Sequence, residues 1–249
     1  PPQSQKLQAI GTFAGGVAHE INNPMQGITG FAELISQASG ANPKIRGYCQ
    51  EINEQTQRVH ALVQDLLGYA HVDKAGTSSK ELALHKVVES TLSLARTIIR
   101  HDKIKLNVAV PNDLPPMLGH RQQIQQVVMN LVTNARDALN SRYPDANENK
   151  RIDLSATSTE YDGNRFVRLI VEDRGTGMPE EVQARIFEPF FTTKPTGKGT
   201  GLGMWIIHRI VEDHDGRISI ESIHGEFTRF SIDFPVADVA KTNNSDSQA

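Results

Sequence analysis

The N-terminal part of the chain carries a heptad pattern, which restricts it to long helices that bury one face. Small or apolar residues recur at steps that alternate between three and four, as in helices that pack in bundles or coiled coils. The first series comprises Leu7, Ile10, Ala14, Val17, Ile21, Pro24, Ile28, Phe31 and Ile35. After a break at residues 40–43, the second series comprises Ile45, Cys49, Ile52, Thr56, Val59, Val63, Leu66 and Ala70. We therefore predict an antiparallel helical hairpin for residues 1–72.

A single hairpin cannot cover both apolar stripes, because several flanking positions are apolar as well. These positions are Phe13, Met25, Leu34, Tyr48, Leu62 and Leu67. Two hairpins paired in a four-helix bundle cover all of them, so we expect a homodimer. The alternative is that the helices pack on the rest of their own chain.

His19 lies at heptad position f, which points furthest from the buried seam, so its imidazole is expected in water. Glu20 takes position g, and Asn23 lies one turn further on the same outer face. Pro24 lacks a backbone N–H and is expected to bend the helix just beyond the histidine.

Two interpretations of His19 follow besides that of an ordinary solvated side chain. A zinc-protease helix also begins with HExx, but its second histidine would fall at Asn23, which excludes that site. What remains is a nucleophilic imidazole with a carboxylate neighbour, Glu20, that can take its proton. Such a pair is suited to receive a transferred group.

The composition is that of a globular protein with room for two modest domains, at 249 residues and 38% hydrophobic. A net charge of −3 gives no sign of a nucleic-acid partner. The single cysteine, Cys49, excludes an internal disulfide and fits a reducing, cytoplasmic compartment. No apolar run could span a bilayer, and no signal peptide opens the chain. Because a helical pattern is already under way at Pro1, we expect a longer protein with an upstream module.

Residues 73–80 are polar and aperiodic, and we predict that they link the hairpin to a second domain at 81–236. Periodicity predicts helices at 85–100, 121–140 and 202–213, and strands at 81–84, 104–110, 151–160, 165–172, 217–222 and 227–234. This order fits an α/β sandwich, a mixed sheet covered by helices. The polar tail, residues 237–249, is predicted to be disordered.

Asn130, Asn134 and Asp137 share one face of the predicted helix 121–140, whose other positions are apolar. Neutral amide oxygens suit a magnesium ion that keeps most of its water and is shared with phosphates. A simple polar surface is the alternative for this motif in isolation.

Asp173 follows directly on an apolar strand and is followed by Gly175 and Gly177. An aspartate at a strand end can accept a hydrogen bond from the exocyclic amino group of adenine, and glycines let the backbone close around a flat ring. An ordinary Asp-Gly turn is the alternative.

A loop rich in Gly, Pro and Thr extends over residues 173–200 and ends in a glycine run that leads into a helix. Backbone N–H groups at a helix N-terminus form a cradle for phosphate, to which Lys194 and Lys198 add positive charge. A loop of this length is usually functional, often a lid, and Phe187, Phe190 and Phe191 are expected to anchor it when closed.

Taken together, these motifs resemble the kinase core of a two-component sensor histidine kinase. HEINNP resembles the phosphoacceptor box, QVVMNLVTNARDAL the asparagine box, and EDRGTGMP the first glycine box. FEPFFTTK resembles the phenylalanine box and GKGTGLGM the second glycine box. All five occur in the family's order and spacing. The sequences of the first and last motifs favour the nitrogen-regulation type of sensor kinase.

The resemblance implies a dimeric four-helix bundle followed by a Bergerat-type ATP-binding domain, with ATP and Mg²⁺ bound. His19 would accept the γ-phosphate, with Glu20 as general base, and pass it to an aspartate of a response regulator. Asn23 would position water for the reverse, phosphatase activity. Asn134 and Asn130 would hold Mg²⁺, and Asp173 would recognise adenine. The remaining nucleotide-binding residues implied are Asp137, Gly175, Gly177, Phe191, Thr192, Lys194, Lys198, Gly199, Thr200, Gly201, Leu202 and Gly203. The upstream module would be a sensor, and its membrane anchoring is left open.

The chain departs from the family pattern at two places. Arg174 stands where members very often have Asn, which puts a charge next to the expected adenine pocket. The segment 225–228, Gly-Glu-Phe-Thr, lacks the Gly-Thr pair common before the last strand, a difference expected to affect packing more than chemistry.

Two other functions share this resemblance. The related ATPases of the same fold place a Glu at the position of Asn130 to activate water, and an amide cannot act as that base. This difference, together with His19, favours transfer to histidine over hydrolysis. A degenerate kinase that serves as a phosphatase or scaffold is the third possibility, although every expected site residue is present.

Overall fold

The computed structural model describes residues 21, 25–37, 42–53, 56, 59, 80–195 and 199–237. By its contacts the chain divides into two compact units, Pro1–Thr77 with Pro189–Ile206 and Ser78–Glu188 with Ile207–Ala249. Within the described residues, no helix combines the length and hydropathy needed to cross a membrane.

The described part of the predicted hairpin is helical at residues 25–37 and 43–53. Ala32 and Cys49 are buried. Large apolar side chains of the same helical segments are exposed, namely those of Ile28, Phe31, Leu34, Ile35, Tyr48 and Ile52. Residues 1–20 and 22–24, which include His19, Glu20 and Asn23, lie outside the described residues.

The remaining elements confirm the predicted α/β architecture. The helices are α1 (Leu84–His101), α2 (Arg121–Arg142), α3 (Glu180–Gln183) and α4 (Gly203–Asp213). The strands are β1 (Lys80–Leu82), β2 (Lys105–Ala109), β3 (Met117–Gly119), β4 (Arg151–Tyr161), β5 (Asn164–Asp173), β6 (Arg217–Ile223) and β7 (Phe227–Pro235). A five-stranded sheet has the order β2-β4-β5-β7-β6, and β1 pairs with β3 separately. Only the β2–β4 pair of the large sheet is parallel.

Alternating residues of the central strands bury one face of the sheet, on which α2 packs. Leu154, Val171 and Phe230 are cross-strand neighbours on this face, and all three are buried. Asp173, two residues beyond Val171, therefore faces the same side. The other face carries rows of charge, in which Arg229 Nε donates to Glu172 at 2.8 Å.

Four local details differ from the sequence prediction. Lys80, expected in the linker, pairs with Gly119. This pairing was not predicted because β1 and β3 are too short to show a period of two. The short helix α3 interrupts the long loop, and its single turn leaves no helical repeat to detect. Leu84, expected in a strand, begins α1. Ala237, expected in the disordered tail, is 3% exposed and its N–H donates to the Pro116 carbonyl at 2.8 Å, a backbone contact that composition cannot indicate.

Candidate functional site

Asp173 ends β5 as a buried carboxyl group. Its Oδ1 accepts a hydrogen bond from the backbone N–H of Gly175 at 2.8 Å, which turns the chain sharply as it leaves the sheet. Burial raises the pKa of Asp173 to about 7; the negative charge of Glu172 adds to the rise, and the Gly175 hydrogen bond opposes it. A ligand that donates a hydrogen bond to this buried carboxyl group therefore stabilises its ionised form.

Gly175 brings the loop after Asp173 against helix α2. A Cβ atom at Gly175 would lie 2.6 Å from the Cβ of Ala138 and 2.8 Å from its backbone carbonyl carbon, so only glycine fits. Ala138 is the residue after Asp137 and lies one turn beyond Asn134. The fold therefore brings the first glycine box and the asparagine box together.

The far side of the same loop rests on the turn between β6 and β7. Gly177 has φ +59°, and a Cβ there would lie 2.0 Å from the carbonyl oxygen of Ile223. The N–H of Gly225 donates to the carbonyl of Thr176 at 2.7 Å, and the N–H of Met178 donates to Ser222 Oγ at 2.8 Å. The loop is thus held between α2 and the β6–β7 turn.

Asn130, Asn134 and Asp137 lie at i, i+4 and i+7 on α2 and are all half-buried. The opposite face of α2 forms the core, with Val127, Val128, Leu131, Ala135 and Leu139 buried. Two amide oxygens and one carboxylate fit a hydrated Mg²⁺ that is shared with phosphate oxygens. Among the described residues, no group of three or more His, Cys, Asp or Glu side chains could hold a metal ion by itself.

Within the first unit, residues 189–194 of the phenylalanine box contact residues 199–201 of the second glycine box. A Cβ at Gly199 would lie 2.7 Å from Thr192 Oγ1, which also accepts the N–H of Lys194 at 3.1 Å. Gly201 has φ +69°, and its Cβ would lie 2.3 Å from the carbonyl carbon of Phe190. Gly199 therefore leaves room for the side chains of Thr192 and Lys194, and Gly201 allows a close approach of backbone to backbone.

The glycine run leads into α4, as predicted. The helix begins at Gly203, and just before it the N–H of Leu202 donates to Thr200 Oγ1 at 3.1 Å. Leu202 is buried, and Phe191 and Lys194 are half-buried. Phe190, expected as an anchor, is 61% exposed. Lys198, like the residues around His19, lies outside the described residues.

Arg174 directs its charge away from Asp173. Glu172 and Asp173 are successive residues of β5 and face opposite sides of the sheet, and Arg174 pairs with Glu172. Its Nη2 lies 2.9 Å from Glu172 Oε1, and its guanidinium carbon lies 5.6 Å from the ring centroid of Phe227. The departure from the family pattern thus lies on the other face of the sheet.

Sequence reasoning did not find the side chains that tie the loop to its surroundings. Gln183 of α3 donates from Nε2 to the carbonyls of Met178 and Ser222, at 2.8 and 3.0 Å. Ser222 Oγ in turn donates to the carbonyl of Phe227 at 2.7 Å. The contact between Gln183 and Ser222 spans 39 residues, and the local signal for this turn was Gly225, whose φ is +82°.

Replacing Gly177 by alanine is expected to cost about 2–5 kcal/mol of unfolding free energy, because the new Cβ meets a carbonyl oxygen at a positive φ. The matched control is Gly163→Ala, since Gly163 has φ +76° but nothing within 4 Å, and it should cost only about 1 kcal/mol. Urea unfolding of both variants measures the difference. Equal losses would show that the close contact at Gly177 is unimportant.

Comparison with known proteins agrees with this geometry. Residues 119–238 match the family described as "Histidine kinase-, DNA gyrase B-, and HSP90-like ATPase". Residues 9–75, which contain His19, match the "His Kinase A (phospho-acceptor) domain". The first match contains the asparagine box and both glycine boxes.

Curated relatives match almost the whole chain. Sensor kinase CckA of Brucella abortus is 34% identical over 94% of this chain and 25% of its own length. The sensory histidine kinase/phosphatase NtrB of Klebsiella oxytoca is also 34% identical, over 94% of this chain and 65% of its own length. The equal identities do not single out the nitrogen-regulation type. The chain spans from about a quarter to about two thirds of the length of these relatives.

Solved structures agree. The catalytic domain of histidine kinase ThkA has a TM-score of 0.52 at 31% identity, over 64% of this chain and 97% of that one. Full-length ShkA in complex with AMPPNP has a TM-score of 0.66 at 24% identity, over 91% of this chain and 46% of that one, a likeness of fold. With a phosphoacceptor domain, an ATPase-type domain and these relatives, the chain belongs to the two-component histidine kinase family and comprises its catalytic core.

Proposed function

We propose that this chain transfers the γ-phosphoryl group of ATP to its own His19, and from there to an aspartate of a response-regulator receiver domain. The observation that carries the proposal is the buried carboxyl group of Asp173, held by Gly175 against the helix that bears Asn130 and Asn134. The match of residues 9–75 to a phosphoacceptor domain supports His19 as the acceptor.

In the proposed complex, Asp173 accepts a hydrogen bond from the 6-amino group of adenine. Asn134 and Asn130 would hold Mg²⁺, which neutralises phosphate charge when bound. Asp137 lies on the same face of α2. The phosphates would meet backbone N–H groups of the glycine run before α4 and the charges of Lys194 and Lys198.

The proposed transfer is an in-line displacement. A ring nitrogen of His19 attacks the γ-phosphorus, the bond to the β–γ bridging oxygen breaks, and ADP leaves with that electron pair. Glu20 takes the ring N–H proton. Positioning and charge neutralisation supply most of the acceleration in such reactions, so the residues that orient the nucleotide matter as much as the base.

We propose a homodimer with a four-helix bundle. The exposed apolar side chains of segments 25–37 and 43–53 support it, because a second hairpin would remove them from water. A response regulator and an upstream sensor module are the other proposed partners, and a cytoplasmic location for this part is proposed from the single cysteine.

A second activity, dephosphorylation of the regulator, is favoured by Asn23 and by one relative named as both kinase and phosphatase. An amide one helical turn beyond the histidine can orient a water molecule toward the aspartyl phosphate.

His19→Gln is expected to keep ATP binding and to abolish labelling by γ-³²P-ATP, because the nucleophile is gone. The label on the unchanged protein should be acid-labile and alkali-stable, and mass spectrometry should locate it. His101→Gln, which alters a side chain that is 87% exposed, is the control and should be labelled normally. Labelled His19→Gln would contradict the proposal; phosphate release without label would favour an ATPase.

Asp173 should make the preference for binding ATP over ITP depend on pH. The ionised carboxylate accepts a hydrogen bond from the 6-amino group, which ITP lacks. The preference is expected to rise by up to about tenfold per pH unit until the pH passes about 7, the pKa of Asp173. The triphosphates are identical, so their own titration cancels in the ratio of dissociation constants.

Asp173→Asn supplies the control for this titration. The amide oxygen would accept from Gly175 and leave an N–H₂ group facing the amino group, so ATP should bind about 10- to 100-fold more weakly and the preference should lose its pH dependence. Because the pKa of Asp173 is raised on folding, the free protein should lose stability as the pH rises from about 4 to about 7, and the variant should not. A pH-dependent preference in the variant would refute the assignment.

Asn23→Ala is expected to spare autophosphorylation and slow dephosphorylation of the phosphorylated cognate receiver domain, because the water loses its orienting amide. Loss of receiver-bound ³²P over time measures the rate. Asn112→Ala, in an exposed turn, is the control. An unchanged rate in Asn23→Ala would remove Asn23 from the phosphatase reaction.

A further inference from the structure

Arg142, the last residue of α2, makes three hydrogen bonds to backbone carbonyls outside its own helix. Its Nη1 donates to the carbonyl oxygens of Arg174 at 3.1 Å and Gly175 at 2.9 Å. The same nitrogen donates to the carbonyl of Glu226 at 2.9 Å. Hydrogen bonds from a charged donor are stronger than neutral ones, so one guanidinium group joins the loop after Asp173 to the β6–β7 turn.

One of these contacts acts on the peptide unit that orients Asp173, and a second acts on the peptide that follows it. The carbonyl of the Arg174–Gly175 peptide accepts from Arg142, and its N–H donates to Asp173 Oδ1 at 2.8 Å. Because a peptide is planar, a group that fixes its carbonyl also fixes the direction of its N–H. The guanidinium therefore fixes the direction from which the N–H meets the carboxylate, so that one oxygen of Asp173 is engaged and the other is left for a second donor.

The third contact fixes the other end of the loop. Glu226 follows Gly225, whose N–H donates to the carbonyl of Thr176 at 2.7 Å. The turn thus holds Thr176 while Arg142 holds both the turn and the peptide before Thr176. Rotation of the 174–175 peptide would break the hydrogen bond from Arg142 to the Arg174 carbonyl and the hydrogen bond to Asp173 at once.

We infer that Arg142 is a positioning residue for adenine selection: it fixes the 174–175 peptide so that Asp173 presents one oxygen to Gly175 and the other to the 6-amino group of the nucleotide. This inference rests on the role proposed above for Asp173. The C-terminal end of α2 would then orient Asp173, in addition to the role proposed for Asn130 and Asn134 in the middle of the helix.

The alternative is a purely structural role, in which Arg142 stabilises the domain and affects every nucleotide alike. A selectivity measurement separates the two. ATP and ITP differ at the 6-position of the ring, so loss of folded protein lowers binding of both in equal proportion, whereas a misdirected Asp173 weakens ATP alone.

The experiment measures dissociation constants of ATP and ITP for the whole 249-residue chain and its variants. Arg142→Met keeps length but removes the donors, and we expect the preference for ATP over ITP to fall about tenfold with ITP binding unchanged. Arg142→Lys keeps one charged donor and should recover part of the preference. Arg151→Met, which removes an ion pair with Asp153 on the other sheet face, should keep all of it.

An ATP-to-ITP ratio in Arg142→Met equal to that of the unchanged protein would overturn the inference, as would an unchanged protein that does not distinguish the two nucleotides. The measurement needs no phosphorylation. A chain that selects ATP through Arg142 but leaves His19 unlabelled would refute the proposed kinase reaction and uphold this inference.

Discussion

The burial of one carboxyl group, that of Asp173, sets the conditions that its neighbours must meet. An ionised carboxylate inside a protein is costly unless hydrogen bonds compensate, and one such bond comes from Gly175. That bond requires a sharp turn, and the turn brings the chain against Ala138 and Ile223, where Gly175 and Gly177 leave no space for a Cβ. The two glycines of the motif are thus consequences of the carboxylate's position.

The alternation of strand β5 separates the face of the sheet that packs on α2 from a charged outer face. Asp173 faces α2, whereas Glu172 and Arg174 pair with each other on the opposite face, where Arg229 also bonds to Glu172. The arginine that departs from the family pattern therefore joins an existing group of charges. The charge that follows Asp173 in the sequence is therefore paired with Glu172, away from the Asp173 carboxyl group.

Much of this fold is predictable from the sequence, because its longer elements repeat a period. The helices α1 and α2 and strands β4, β5, β6 and β7 lie within about two residues of their predicted positions, and the turn at Asp162 and Gly163 has the two positive φ values that its sequence indicates. Contacts without a local pattern were not predictable. Arg142 binds carbonyls that lie 32 to 84 residues away, and the β1–β3 pair is too short to show alternation.

The arrangement of strands also bears on how the domain folds. The pairs β4–β5 and β6–β7 are local hairpins, which form in about 1–10 μs, whereas the β5–β7 pair joins residues as far apart as Phe166 and Pro235. The β5–β7 pair can form only when the long segment between these strands closes into a loop, so we expect it to form more slowly than the hairpins. The loop after Asp173 rests on the β6–β7 turn, so the contacts between this loop and the turn form only after the two hairpins have joined. A trapped intermediate with both hairpins formed would lack affinity for nucleotide, and recovery of binding during refolding would time the docking of one hairpin on the other.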